Sequence, residues 1–137
     1  MEPRPLGQLP WAATPAEFLQ AAREVDAGGA CCVFVIDGSI PRAARAGYAA
    51  LVIAYARADE PVLILQDGGA AILIREGGTR SGEVAARRVI DQMRRLALDQ
   101  TLRAGVVPLD RDGDAAIDGA KRAAERAAAG EVALGTL

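Results

Sequence analysis

The chain reads as an α/β (α+β) domain built on a split βαβ sheet of the ferredoxin-like kind, with helices packed on it. Three observations predict this. A continuous apolar run, Cys31 to Ile36, stops at Asp37-Gly38. Two shorter apolar runs flank Asp67-Gly68-Gly69, a strong hairpin signal because a tight turn needs positive φ. Runs of strand character alternate with segments of helical period in the order α-β-α-β-β-α-β-α-β, whose central β-α-β-β-α-β is the split arrangement.

Each element has its own signal. Residues Met1 to Pro10 carry three prolines and read as an irregular lead-in. Thr14-Pro15 supplies an N-cap with proline at the first helical position; Phe18, Leu19, Ala22 and Val25 share a face, and Gly28-Gly29 is expected to end the helix. Cys31 to Ile36, rich in β-branched residues, is expected to be a central strand covered on both faces. Ser39 and Pro41 open a second helix through Tyr48 and Tyr55, stopped at Asp59-Glu60-Pro61. Val62 to Leu65 and Ala71 to Ile74 form the hairpin, and Gly77-Gly78 closes its second strand. Ser81, with Glu83 in the first turn, starts the clearest helix, with Ala86, Val89, Ile90, Met93, Leu96 and Ala97 at the helical period. Thr101 to Val107 is a strand, Asp114 to Ala129 an Ala-rich helix, and Glu131 to Leu137 a last short strand. The expected division is residues 1–29 as lead-in and helix and residues 30–137 as the main domain.

Composition narrows the function. The 137 residues suit one domain, and the net charge of −2 predicts no strong attraction to nucleic acid. There is no His and no Asn, so the commonest general base and metal ligand is missing. Arg supplies every basic residue except Lys121. The adjacent Cys31 and Cys32 are poorly placed to bond to each other and read as buried reduced thiols. No run is long and apolar enough to span a membrane, and no signal-peptide pattern opens the chain, so a cytoplasmic location is expected. Trp11 either packs the lead-in on the domain or marks an interface.

One constellation carries possible chemistry. Asp37 ends a strand, and about thirty residues later comes the Gly-Gly turn; in a split βαβ sheet the two strands lie side by side. An Asp beside a glycine turn can hold Mg²⁺ and admit phosphates to the backbone. Over roughly residues 30 to 131 the chain resembles the GGDEF family, the diguanylate cyclases. The resemblance rests on Val33-Phe34-Val35-Ile36-Asp37, on Gly68-Gly69-Ala70-Ala71-Ile72 in place of the signature hairpin, on the helix Glu83 to Ala97, on Ala104-Gly105-Val106-Val107, and on the Ala-rich helix near Gly130. It implies a nucleotidyl-cyclase type of sheet in a bacterial signalling protein. Lys121 either matches the family's helix Lys or lies seven residues early.

The departures point away from catalysis. Where active relatives have a metal-binding acid and then Glu, this chain has Ala70 and Ala71. The guanine-reading Asn has no counterpart, and the Phe-Lys pair after the metal Asp becomes Pro41-Arg42. One remaining carboxylate coordinates two Mg²⁺ ions poorly, and phosphoryl transfer depends on them. No catalytic residue, metal or cofactor is therefore expected. Arg57-Ala58-Asp59-Glu60 is a loose echo of the family's product-binding Arg-x-x-Asp motif, and its plainer reading is a charged helix end.

Two functions follow as expectations. The first is a non-catalytic GGDEF-like regulatory module acting through protein contact, with a second copy or a signalling or motility protein as partner. Arg87, Arg88, Arg94 and Arg95, with Asp91 spaced to pair Arg87 and Arg95, are the candidate docking face, or else a solvated one. The alternative is a receptor for a guanine nucleotide such as cyclic di-GMP or GTP, held by Asp37, Arg42, Gly68, Gly69, Arg57 and Glu60. A third reading, an enzyme of divergent chemistry, has Asp37 as its one obvious base.

Overall fold

The protein is seen here as a computed structural model that describes residues 12–25 and 28–136. The lead-in and Trp11 lie outside the described residues. Among the described residues, four α-helices and five strands follow in the expected order: α1 (Pro15–Glu24), β1 (Gly29–Ile36), α2 (Arg42–Tyr55), β2 (Val62–Ile64), β3 (Ala70–Ile74), α3 (Gly78–Arg95), β4 (Leu102–Leu109), α4 (Gly113–Arg126) and β5 (Val132–Leu134). A 3₁₀ turn, Asp99–Thr101, leads into β4.

The sheet order is β2-β3-β1-β4-β5. β3 is antiparallel to both β1 and β2, so β1 and β2 run parallel with β3 between them, which is the split βαβ unit. β4 is antiparallel to β1, and β5 adds a parallel edge beyond it. β1 is the central strand and is buried at every position but Val35. Its alternation divides the core. Ala30, Cys32, Phe34 and Ile36 face α2 and α3 together with Ile72, Val89 and Met93. Cys31 and Val33 face α1 and α4 together with Phe18, Leu73, Ala116 and Ala120. The two helices of the βαββαβ core therefore share one face, and the two outside it cover the other.

The division at residue 29 is not a division of packing. Phe18 and Ala22 of α1 are fully buried against the sheet, and the Ala13 amide donates to the Val62 carbonyl at 2.8 Å. α1 opens on a capping box, in which the Glu17 amide donates to Thr14 Oγ1 and the Thr14 amide to Glu17 Oε1. It ends at Glu24, four residues before the glycines expected to stop it.

Other boundaries also move. α2 starts after Pro41, with no side-chain cap, so Ser39 belongs to the preceding turn. α3 starts at Gly78 rather than Ser81: Gly77, at φ 90°, is the N-cap, and the glycines that look like a stop form the helix start. β4 runs two residues further than the apolar pattern suggests, to Leu109, and α4 is capped by Asp112, whose side chain accepts from the Ala115 amide. β5 is confined to Val132–Leu134.

Both cysteines are free and buried, on opposite faces of β1. Burial pushes the Cys31 thiol up to about 12 and raises that of Cys32, which donates to the Gly82 carbonyl at 3.1 Å. No helix among the described residues is long and apolar enough to cross a membrane.

Candidate functional site

The antiparallel register Phe34↔Ala70 brings the C-terminal end of β1 to the start of β3, so Asp37 and the Gly68-Gly69 turn share one end of the sheet. The turn closes on itself. Leu65 N–H donates to Gly69 O, Gly68 N–H to Leu65 O, and Gly69 N–H to Asp67 Oδ1, at 2.8, 3.0 and 2.9 Å. Both glycine amides are thus engaged within the hairpin, and the turn presents neither of them to a phosphate. The glycines answer to geometry instead. Gly68 has φ 90°, and a Cβ there would meet Arg45 Cβ at 2.6 Å; a Cβ on Gly69 would run into the Phe34 carbonyl.

Asp37 is exposed, and its carboxylate is already partnered. Oδ2 accepts from the Ser39 amide at 3.1 Å and from the Ser39 hydroxyl. The Ser39 hydroxyl and amide, helped by the nearby Arg103 and Arg45 charges, hold the carboxyl below the usual aspartate value. This is a turn-forming Asx arrangement at a strand end.

The residue that joins these parts was not singled out from the sequence. Arg45, in the first turn of α2, donates from Nη2 to the Asp37 carbonyl, from Nη1 to the Asp67 carbonyl and from Nε to the Ile40 carbonyl, at 3.0, 2.9 and 3.1 Å. Its stem lies across Gly68. A signal existed: a cation in the first turn of a helix opposes the helix dipole, and such a residue needs another reason to be there. Lys121, whose register the sequence left open, reaches the same end of the sheet from α4, with Nζ 3.5 Å from Asp67 Oδ2.

Ala70 and Ala71 are 1% and 0% exposed. Ala70 faces α2 and α3, and Ala71 faces α1 and α4. Among the described residues no three His, Cys, Asp or Glu side chains converge on a metal position. The Mg²⁺ that the resemblance implies does not fit these residues, since Asp37 is tied to Ser39 and buried alanines occupy the two signature positions. A shallow cleft of about 440 Å³ remains, lined by Arg42, Arg45, Ile64, Leu65, Gln66, Asp67 and Gly68. Arg42 is exposed there and makes no side-chain hydrogen bond or ion pair among the described residues.

Arg57 and Glu60 are not part of this site. They precede β2, whose first residue pairs with Ile72, and Pro61 O accepts from Leu73 N–H, so they lie toward the opposite end of the sheet. Their cleft, about 350 Å³, also takes in Arg75, Glu76, Ser81 and Arg88. Glu60 Oε1 accepts from the Arg57 backbone amide at 2.8 Å and pairs with Arg88 Nη2 at 2.5 Å.

The four candidate arginines on α3, Arg87, Arg88, Arg94 and Arg95, do not act as one set. Arg88 turns inward to Glu60 and the Tyr55 carbonyl. Arg87 pairs with Glu83 rather than Asp91, because the two stand i, i+4 with the acid N-terminal. Asp91 pairs with Arg94, which also approaches Asp99 at 3.5 Å. Arg95 is exposed and has no such partner among the described residues.

No known protein-family profile matches the chain, and no curated protein matches it. Among solved structures, it is similar to an N-terminally truncated form of PA1120 (TpbB or YfiN) from Pseudomonas aeruginosa that comprises only the GGDEF domain. The TM-score is 0.67 at 20% identity, over 96% of this chain and 93% of that one. With the split βαβ order and the hairpin beside the end of β1, this likeness establishes that the chain has the fold of a GGDEF domain.

Proposed function

We propose that this chain is a non-catalytic GGDEF-type module of cyclic di-GMP signalling that regulates through protein contact. The observation that carries the reading is the state of the hairpin. Its two signature positions are buried alanines, and the space between β1 and the turn is taken by the Arg45 side chain. Phosphoryl transfer needs carboxylates to hold metal against the phosphates, and such carboxylates are absent at these positions. A scaffold that keeps its turn glycines and core while losing those acids is suited to presenting surface. Incubation with GTP and Mg²⁺ is expected to yield no cyclic di-GMP. Light scattering and pull-downs are expected to find a second copy or a signalling or motility protein bound; a solitary monomer under all conditions, or turnover of GTP, would sink the reading.

A second reading, a receptor for a guanine nucleotide, is supported by Arg42, which has no side-chain partner among the described residues and lies at the 440 Å³ cleft. Arg is suited to bidentate contact with phosphate. Calorimetric titration with GTP and with cyclic di-GMP, each with and without Mg²⁺, decides it: no heat and no thermal shift at millimolar ligand removes it.

A further inference from the structure

Three backbone carbonyls from two separate turns converge beside the hairpin. Asp37 O and Ile40 O come from the β1–α2 turn, in which the Ile40 amide also donates to Asp37 O at 3.1 Å, and Asp67 O comes from the β2–β3 turn. Carbonyl oxygens gathered in this way make a site for a cation, because each carries partial negative charge and repels the others. The chain fills the site itself: the three donating nitrogens of the planar Arg45 guanidinium each face one oxygen, at 3.0, 3.1 and 2.9 Å. The fit is specific to that shape, since an ammonium offers a point charge where a guanidinium offers a fork. Gly68 completes the arrangement, for any side chain there would collide with the Arg45 stem.

We propose that the carbonyls of Asp37, Ile40 and Asp67 form a guanidinium-binding site, occupied in cis by Arg45, which locks the hairpin to β1 and α2 without a metal. The fixed positive charge, with Arg103 also near the Asp37 carboxylate, opposes entry of a divalent cation at this end of the sheet. The inference is independent of the regulatory reading above, because it concerns how the turn is held and is tested by stability rather than by nucleotide or partner binding.

The test is chemical rescue. Arg45→Ala is expected to lower the melting temperature by about 5 °C. Guanidinium chloride at about 10 mM is expected to raise the melting temperature of that variant and not of the wild type, whereas urea, neutral and similar in shape, and sodium chloride do not. A variant as stable as wild type, or one for which guanidinium does no more than sodium, overturns the proposal. If Arg45→Ala fails to fold, nuclear magnetic resonance of the wild-type protein decides. The Arg45 Nε–H proton is expected to exchange with water at least tenfold more slowly than that of the exposed Arg42. Equal exchange rates overturn the proposal.

Discussion

The Arg88 guanidinium holds the Glu60 carboxylate at 2.5 Å, with side-chain exposures of only 24% and 11%, and so fastens α3 to the connection between α2 and β2. Arg88 Nε also donates to Tyr55 O at 3.1 Å, near the C-terminus of α2, where a cation is favoured. Because the pair is largely shielded, Arg88→Ala is expected to cost about 2 kcal/mol in urea unfolding. A double-mutant cycle with Glu60→Ala should return a coupling well above that of Arg87 and Glu83, which are more exposed. Additive effects would show that the pair is not a fastening.

Gly68→Ala is expected to destabilise the protein by about 1–3 kcal/mol, from a left-handed backbone and from contact with Arg45 together. In an Arg45→Gly background the contact with Arg45 Cβ is gone and only the backbone cost remains, so the substitution should be milder there. The same loss in both backgrounds, read by denaturant midpoints, would remove the Arg45 contribution.

Restoring the acids should not restore an enzyme. Ala70→Asp with Ala71→Glu puts two carboxylates where the wild-type side chains are essentially unexposed. Without buried partners the cost is about 3–5 kcal/mol, and the groups are expected to be protonated or the domain unfolded. Melting temperature and GTP turnover with Mg²⁺ are the measurements. A stable double variant that makes cyclic di-GMP would contradict both the packing argument and the non-catalytic reading.

Asp37 makes the turn pH-dependent in a defined direction. Its folded-state value lies below that of the unfolded chain, near 3.9, because Ser39 bonds to the ionised form. Its contribution is therefore complete above about pH 4 to 5 and is lost as pH falls through the folded value. The stability difference between wild type and Asp37→Ala is expected to be flat from pH 5 to 8 and to shrink below about pH 3.5. A difference that does not shrink on acidification would show that the carboxylate charge is not what matters.

The thiols behave in the opposite sense. With Cys31 raised to about 12 and Cys32 raised as well, folding keeps protons that the unfolded chain releases above about pH 8.5. Stability should decline as pH rises beyond that value. At pH 8 a thiol reagent is expected to label neither cysteine in the native protein and both in urea; rapid native labelling would mean that β1 is not enclosed on both faces.

Much of the fold was legible because it depends on local pattern. The unbroken apolar run of β1 announced a strand covered on both sides, and Asp-Gly-Gly between two apolar runs announced the hairpin. Helix ends were less legible. At α3, Gly77-Gly78 carries the chemistry of a stop, and only the left-handed φ of Gly77 reveals a start. At the candidate site, Asp37 and the glycines were visible, but the partners of Arg45 were not, because all three are backbone carbonyls, which every residue possesses.

The sequence by itself determined the element order, the position of the hairpin and the absence of acids at Ala70 and Ala71, since these are matters of residue type and spacing. Tertiary structure alone decided what surrounds those positions. It closed the turn amides on their own hairpin, set Arg45 across Gly68, and parted Arg57 and Glu60 from Asp37. The physical reason is strand direction. Antiparallel pairing assigns each residue to one end of the sheet or the other, and contacts between residues far apart in the chain exist only once that pairing is made.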